Sequence, residues 1–161
     1  MEAASRKILV LLDSTVPRQA AVREAARLAQ QDAASLELYD YGLDPQMPHG
    51  WTEAVDAADN YRALLRERRI SDLERLARPL RTRAIDETVC VELLVPLDDA
   101  IARHLAQTTP DLIVIDDAPV AAATVWRKQV DGALLRHARC PVIRVDAGHD
   151  AADYPDKVLA T

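Results

Sequence analysis

Unbroken apolar runs alternate along this chain with stretches whose apolar residues recur every three or four positions. The run KILVLLD, Lys7 to Asp13, stays apolar until its last residue and predicts a strand buried on both faces. Next, Val22, Ala25, Ala26 and Ala29 share one helical face, with Pro17 suited to a first turn. SLELYDY, Ser35 to Tyr41, alternates and predicts a second strand, and the proline- and glycine-rich GLDPQMPHG after it reads as a loop. A long helical region then runs from about Glu53 to Ala84. Its apolar stripe is Ile70, Leu73, Ala77, Leu80 and Ala84, with Leu76 beside it, and Pro79 inside the stripe predicts a kink or break near Leu76. TVCVELLV, Thr88 to Val95, is the third predicted strand. PLDDAIARHLAQ follows as a short helix, with Asp98 as its N-cap and Leu97, Ile101 and Leu105 turned inward. DLIVID supplies a fourth strand, about Val125 to Ala138 a last helix, and PVIRVD a fifth strand.

Strand and helix in regular alternation, with strands apolar throughout, imply a parallel sheet covered on both faces. Right-handed crossovers then leave a doubly wound α/β sandwich as the simplest topology. Ligands of such sheets bind beyond the carboxyl ends of the strands, where Asp13, Tyr41 and Asp116 are expected. A length of 161 residues suits one domain. We expect that domain to span residues 1–146, with 147–161 as a C-terminal tail.

Composition narrows the function classes. A net charge of -6 disfavours nucleic acid as a partner, and an aromatic content of 4% with no Phe gives bases little to stack on. Leu, Val, Ile and Ala must therefore fill the core. No apolar run reaches the roughly 18 residues of a membrane span, and the N-terminus lacks a secretory pattern, so the expected location is cytoplasmic, without a membrane span. Cys90 and Cys140 form no metal-spaced cluster and read as reduced core residues.

Three segments, KILVLLDST, TPDLIVI and LLRHARCPVIRVD, carry a resemblance to the universal stress protein family that extends from Lys7 to Asp146. The last two resemble that family's aDLIVmG and hapCPVlvV at the expected separation. The resemblance implies a Rossmann-like fold of the adenine nucleotide alpha hydrolase type, with five parallel strands in the order 3-2-1-4-5 and helices on both faces. The arginine-rich central helix and DDAIARHLA look more like the first half of the E-type tandem members. Such a chain is either a stand-alone relative or one half of a longer protein. ATP-binding members carry a glycine, two residues, a glycine, nine residues, then a glycine followed by Ser or Thr. Counted from Ile115, the first two glycines correspond to Asp116 and Pro119. Counted back from Pro141, the final pair corresponds to Lys128 and Gln129, followed by Val130, in a loop one residue short. Asp13 keeps the family's acidic residue after the first strand, and Tyr41 stands where a smaller residue borders the adenine.

The substitutions have a physical meaning. Glycines let backbone N–H groups approach a phosphate and adopt positive φ, whereas Pro119 lacks the donor and fixes its own φ. Asp116 and Asp117 add negative charge near a would-be triphosphate. Two like charges about 5 Å apart at an effective dielectric near 20 repel by roughly 3 kcal/mol, on the order of a hundredfold in affinity. Lys128 offsets part of this. Metal-free ATP is therefore a disfavoured cofactor. A Mg²⁺ ion held by Asp13, Asp116 and Asp117 would reverse the sign, against the simpler reading in which the two aspartates of the loop cap a turn and face water. The expected function is non-enzymatic binding or signalling by a stress-response protein, with a ligand of unknown identity. The alternatives are an ATP/Mg²⁺-binding member with weak ATPase activity, or a carrier for an apolar ligand in a cleft lined by Tyr41 and Trp126.

Other residues are read as structural. The arginines from Arg62 to Arg83 suggest a solvated helix face with ion pairs such as Glu74 to Arg78. His104 is expected on the outer flank of its helix, and His137 in a last turn, where a cation favours the dipole. The fifth strand is an edge in the monomer. The resemblance implies dimerisation, or pairing of tandem halves, through this strand, with Val142 and Arg144 on the edge.

Overall fold

Two separate cores sandwich one sheet, and the period-two alternation of the inner strands decides which residues enter each. The structure, a computed structural model, describes residues 5–13, 19–41, 55–91, 97–116 and 124–146. The elements are β1 (Lys7–Leu12), α1 (Ala20–Asp32), β2 (Ser35–Asp40), α2 (Val55–Thr82), β3 (Glu87–Val91), α3 (Leu97–Thr108), β4 (Leu112–Asp116), α4 (Thr124–His137) and β5 (Val142–Val145). All neighbouring strands pair in parallel, in the order β3-β2-β1-β4-β5. This is the doubly wound order expected. Ile8, Val10, Leu12, Leu36, Leu38 and Val114 face α1 and α2, where they meet Ala25, Ala29, Leu73, Ala77 and Leu80. Leu9, Leu11, Tyr39, Ile113 and Ile115 face α3 and α4, against Ile101, Leu105, Val130 and Leu134. Each fully buried Leu or Ile contributes roughly 1.5–3 kcal/mol relative to exposure. The central strand β1 is buried from Ile8 to Leu12 because both layers cover it.

Local departures from the sequence reading have identifiable causes. Helix α2 runs unbroken to Thr82 with Pro79 inside it, so the expected break near Leu76 is absent. A proline one turn from a helix end forfeits a single intrahelical bond, and the buried residues Ala77 and Leu80 on either side of it keep that turn on the sheet. Helix α1 begins at Ala20, and Pro17, expected in its first turn, lies outside the described residues. Asp98 is not an N-cap: it lies within the first turn of α3, and its carboxylate pairs with Arg136 and His137 in the last turn of α4. Those two hydrogen bonds hold its carboxyl below the usual carboxylate range. Glu74 pairs with Arg81 at 2.5 Å rather than with Arg78, and Arg81 also reaches Glu87 at the start of β3. The residues that follow α1, α2 and α3 include Ala33, Ala84 and Thr109, all left-handed at φ 51°, 56° and 43°, without glycine.

Candidate functional site

The carboxyl ends of β1, β2 and β4 bring three carboxylates to one edge of the sheet. Asp40 ends β2 in the same alternation phase as Leu36 and Leu38, which carries its side chain beneath α2, where it is fully buried. A carboxylate removed from water needs a compensating charge. Arg69 provides it. It lies four residues before Leu73 on the same helical stripe and is only 2% exposed. Its Nη1 stands 3.2 and 3.3 Å from the two Asp40 oxygens and 3.4 Å from Asp13 Oδ1. Gln19 donates from Nε2 to the Asp13 carbonyl at 2.8 Å, and the Tyr41 N–H donates to the Leu12 carbonyl at 3.0 Å, so the β1–β2 edge is tied on both sides.

Asp116, at the end of β4, turns to the next element. Its Oδ1 accepts the N–H of Ala21 at 2.7 Å, in the first turn of α1. Gln19, the cap residue itself, makes no side-chain capping bond. The carboxylate therefore satisfies an orphan amide and places negative charge at the positive end of the helix. Asp116, which the resemblance sets against the first glycine of a phosphate motif, thus holds β4 to α1.

The remaining expected positions are distributed as follows. Ile115 and Val130 are fully buried core side chains, so only their backbone is available to a ligand. Tyr41 is half-buried and packs against the α3–α4 core. Gln129 is exposed on α4. Asp117 and Pro119, and the side chains of Trp126 and Lys128, lie outside the described residues. Among the described residues, no group of three or more His, Cys, Asp or Glu is placed to hold a metal; Asp13 and Asp116, two members of the suggested cluster, face Arg69 and α1 instead. On the far edge, Arg144 of β5 pairs with Asp131 of α4 at 2.9 Å, within its own chain. Leu135, one turn after Asp131 and on the same face, is 87% exposed.

Sequence reasoning missed Arg69 and Asp40. The arginine was one of a crowd read as a solvated face, although its spacing from Leu73, Ala77 and Leu80 put it in phase with the buried stripe. His104 also departs from expectation. It is buried beneath α3 rather than on an outer flank, because it shares the inward face of Ile101 and Leu105.

The comparisons with known proteins agree with this fold. The universal stress protein family matches residues 4–146. No curated protein matches the chain. Among solved structures, universal stress protein UspA from Lactobacillus plantarum is 24% identical with a TM-score of 0.57, over 89% of this chain and 99% of that one. A universal stress protein solved in complex with cAMP is 15% identical (TM-score 0.55), over 89% of this chain and 98% of that one. One from Archaeoglobus fulgidus in complex with dAMP is 16% identical (TM-score 0.53), over 88% and 98%. These likenesses carry the fold, and no helix among the described residues is long and apolar enough to cross a membrane. With nearly the whole length matched, the chain belongs to the universal stress protein family.

Proposed function

We propose that this chain is a non-catalytic binding or signalling module of the universal stress protein family, of the degenerate kind that has no high-affinity site for metal-free ATP. The observation that carries the reading is the engagement of Asp13 and Asp116 by the protein itself. The acid that the family resemblance places after the first strand is paired with a buried guanidinium, and the residue that it sets at the first glycine position is spent on α1. Pro119 adds a missing N–H in the same loop. A ligand entering this edge has to displace those contacts as well as meet their charge. In keeping with the resemblance, the protein acts in the cytoplasm as an E-type relative. It pairs through the β5 edge, either with a second copy or with a tandem half, and the exposed Leu135 and Ile143 supply apolar surface there.

Calorimetric titration with ATP, with and without Mg²⁺, tests the nucleotide claim. We expect no heat in the micromolar range without metal; micromolar metal-free affinity overturns the reading. Sedimentation tests the pairing: the native chain sediments as a dimer and Leu135→Glu as a monomer. A second reading, an adenine-nucleotide-binding member, draws on the relatives solved with cAMP and dAMP. Strictly Mg²⁺-dependent binding that Asp116→Ala abolishes would favour it. An apolar molecule extracted from the purified protein and identified by mass spectrometry would instead favour a carrier.

A further inference from the structure

A polar cavity of about 420 Å³ lies at the amino edge of the sheet, opposite the carboxyl edge that carries Asp13, Asp40 and Asp116. It opens where α1 and α2 end. Ala33 and Ala84, the left-handed residues beyond the two helices, both border it. Its volume falls within the roughly 300–1,000 Å³ of small-molecule sites. Buried Ala34 and Ile85 supply an apolar wall, and Arg83 and Asp86 supply the charges. Arg83 is half-buried, yet its guanidinium has no hydrogen-bond or ion-pair partner among the described residues, and its Nε is buried without an acceptor. Other arginines of α2 are paired: Arg81 with Glu74 and Glu87, and Arg69 with Asp40 and Asp13. A guanidinium drawn out of water without a counter-charge is a costly arrangement. The Asp86 carboxylate is exposed and also lacks an ionic partner among the described residues, although Arg83 borders the same cavity.

We propose that this cavity is a binding site for a small zwitterion of the α-amino-acid class, its carboxylate held by Arg83 and its ammonium by Asp86. A carboxylate matches the planar fork of the guanidinium and supplies the missing counter-charge. A ligand bearing that charge alone would be repelled by the Asp86 carboxylate and by the negative ends of two helices. The same groups attract an ammonium. A free amino acid carries both charges on one carbon, so it satisfies Arg83 and Asp86 together. The wall of Ala34 and Ile85 accepts an uncharged side chain. The site stands apart from the carboxyl edge, so its occupancy does not depend on whether that edge accepts a nucleotide.

The test titrates the isotope-labelled full chain with L-alanine, L-leucine and L-glutamine and follows the Ala34 and Ile85 amides by NMR. At least one amino acid is expected to give saturable shifts with a midpoint below about 1 mM. Its N-acetyl derivative, which lacks the ammonium, and its amide, which lacks the carboxylate, should each bind about tenfold more weakly or worse. Arg83→Gln and Asp86→Asn should each weaken binding by a similar factor, whereas Arg81→Gln, at an arginine already paired with two carboxylates, should leave the midpoint unchanged. Should a variant unfold, the comparison of derivatives on the native chain decides alone. The absence of saturable shifts with all three amino acids overturns the proposal, as does a derivative that binds as tightly as its parent.

Discussion

Strand β2 carries two buried polar constellations on its opposite faces, and they differ in the kind of cation that compensates them. Under α2, Asp40 and Asp13 meet Arg69; under α3, Glu37 meets His104. A guanidinium keeps its charge throughout the pH range in which proteins fold, whereas an imidazole gains and loses a proton within it. The first arrangement is thus a fixed clamp that closes the carboxyl edge of the sheet. The second can exchange a proton with water. Burial alone does not mark a functional site. Titratability of the cation separates the two.

The largest predicted effect breaks the clamp. Arg69→Met leaves Asp40 buried without its cation and should destabilise the fold by about 3–5 kcal/mol in urea titration. Adding Asp40→Leu should restore most of the loss, because a well-packed apolar pair often replaces a buried ion pair at little cost. If Arg69→Met costs nothing, the clamp is not structural.

The next effect sharpens the contrast through pH. The folded His104 pKa of about 9 lies above the ordinary value of 6.5. The stabilisation is therefore fully present below pH 6.5 and lost as the pH rises through 9. Thermal denaturation should show a decline on the order of 2–3 kcal/mol across that interval, absent in His104→Gln. Stability that stays flat from pH 6.5 to 9.5 in the native protein would remove the distinction between the two cations.

Smaller effects test the supports. Asp116→Ala removes a capping acceptor from α1 and should cost about 1 kcal/mol, by chemical denaturation. Ala33→Gly should stabilise by up to roughly 1 kcal/mol, since only glycine takes a positive φ without a Cβ penalty. The exposed pair of Arg6 and Asp32, 2.7 Å apart, is the control. Removing Asp32 with Asp32→Ala should change stability by less than about 1 kcal/mol.

Particular elements show how far the residues could be read without coordinates. The five strands and the inward faces of α1 and α3 follow from local periodicity, because burying an apolar stripe is a property of one element. The break expected near Leu76 does not occur, because whether a lost hydrogen bond breaks a helix depends on what holds the next turn, and Leu80 is buried in the core. Arg69, one of eight arginines from Arg62 to Arg83, and His104, beside Ile101 and Leu105, have the spacing of core residues and the chemistry of surface ones. Local pattern has no rule for that conflict.

The chain's own residues determined the alternation of strands and helices, the parallel doubly wound sheet and the family likeness. All of these rest on periodicity, composition or short motifs. Tertiary structure decided which charges meet. Asp13 and Arg69 are 56 residues apart, Asp116 and Ala21 are 95 apart, and Glu37 and His104 are 67 apart. Pairings at such separations are set by strand order and helix placement, since only the folded sheet brings the ends of distant strands within hydrogen-bonding distance.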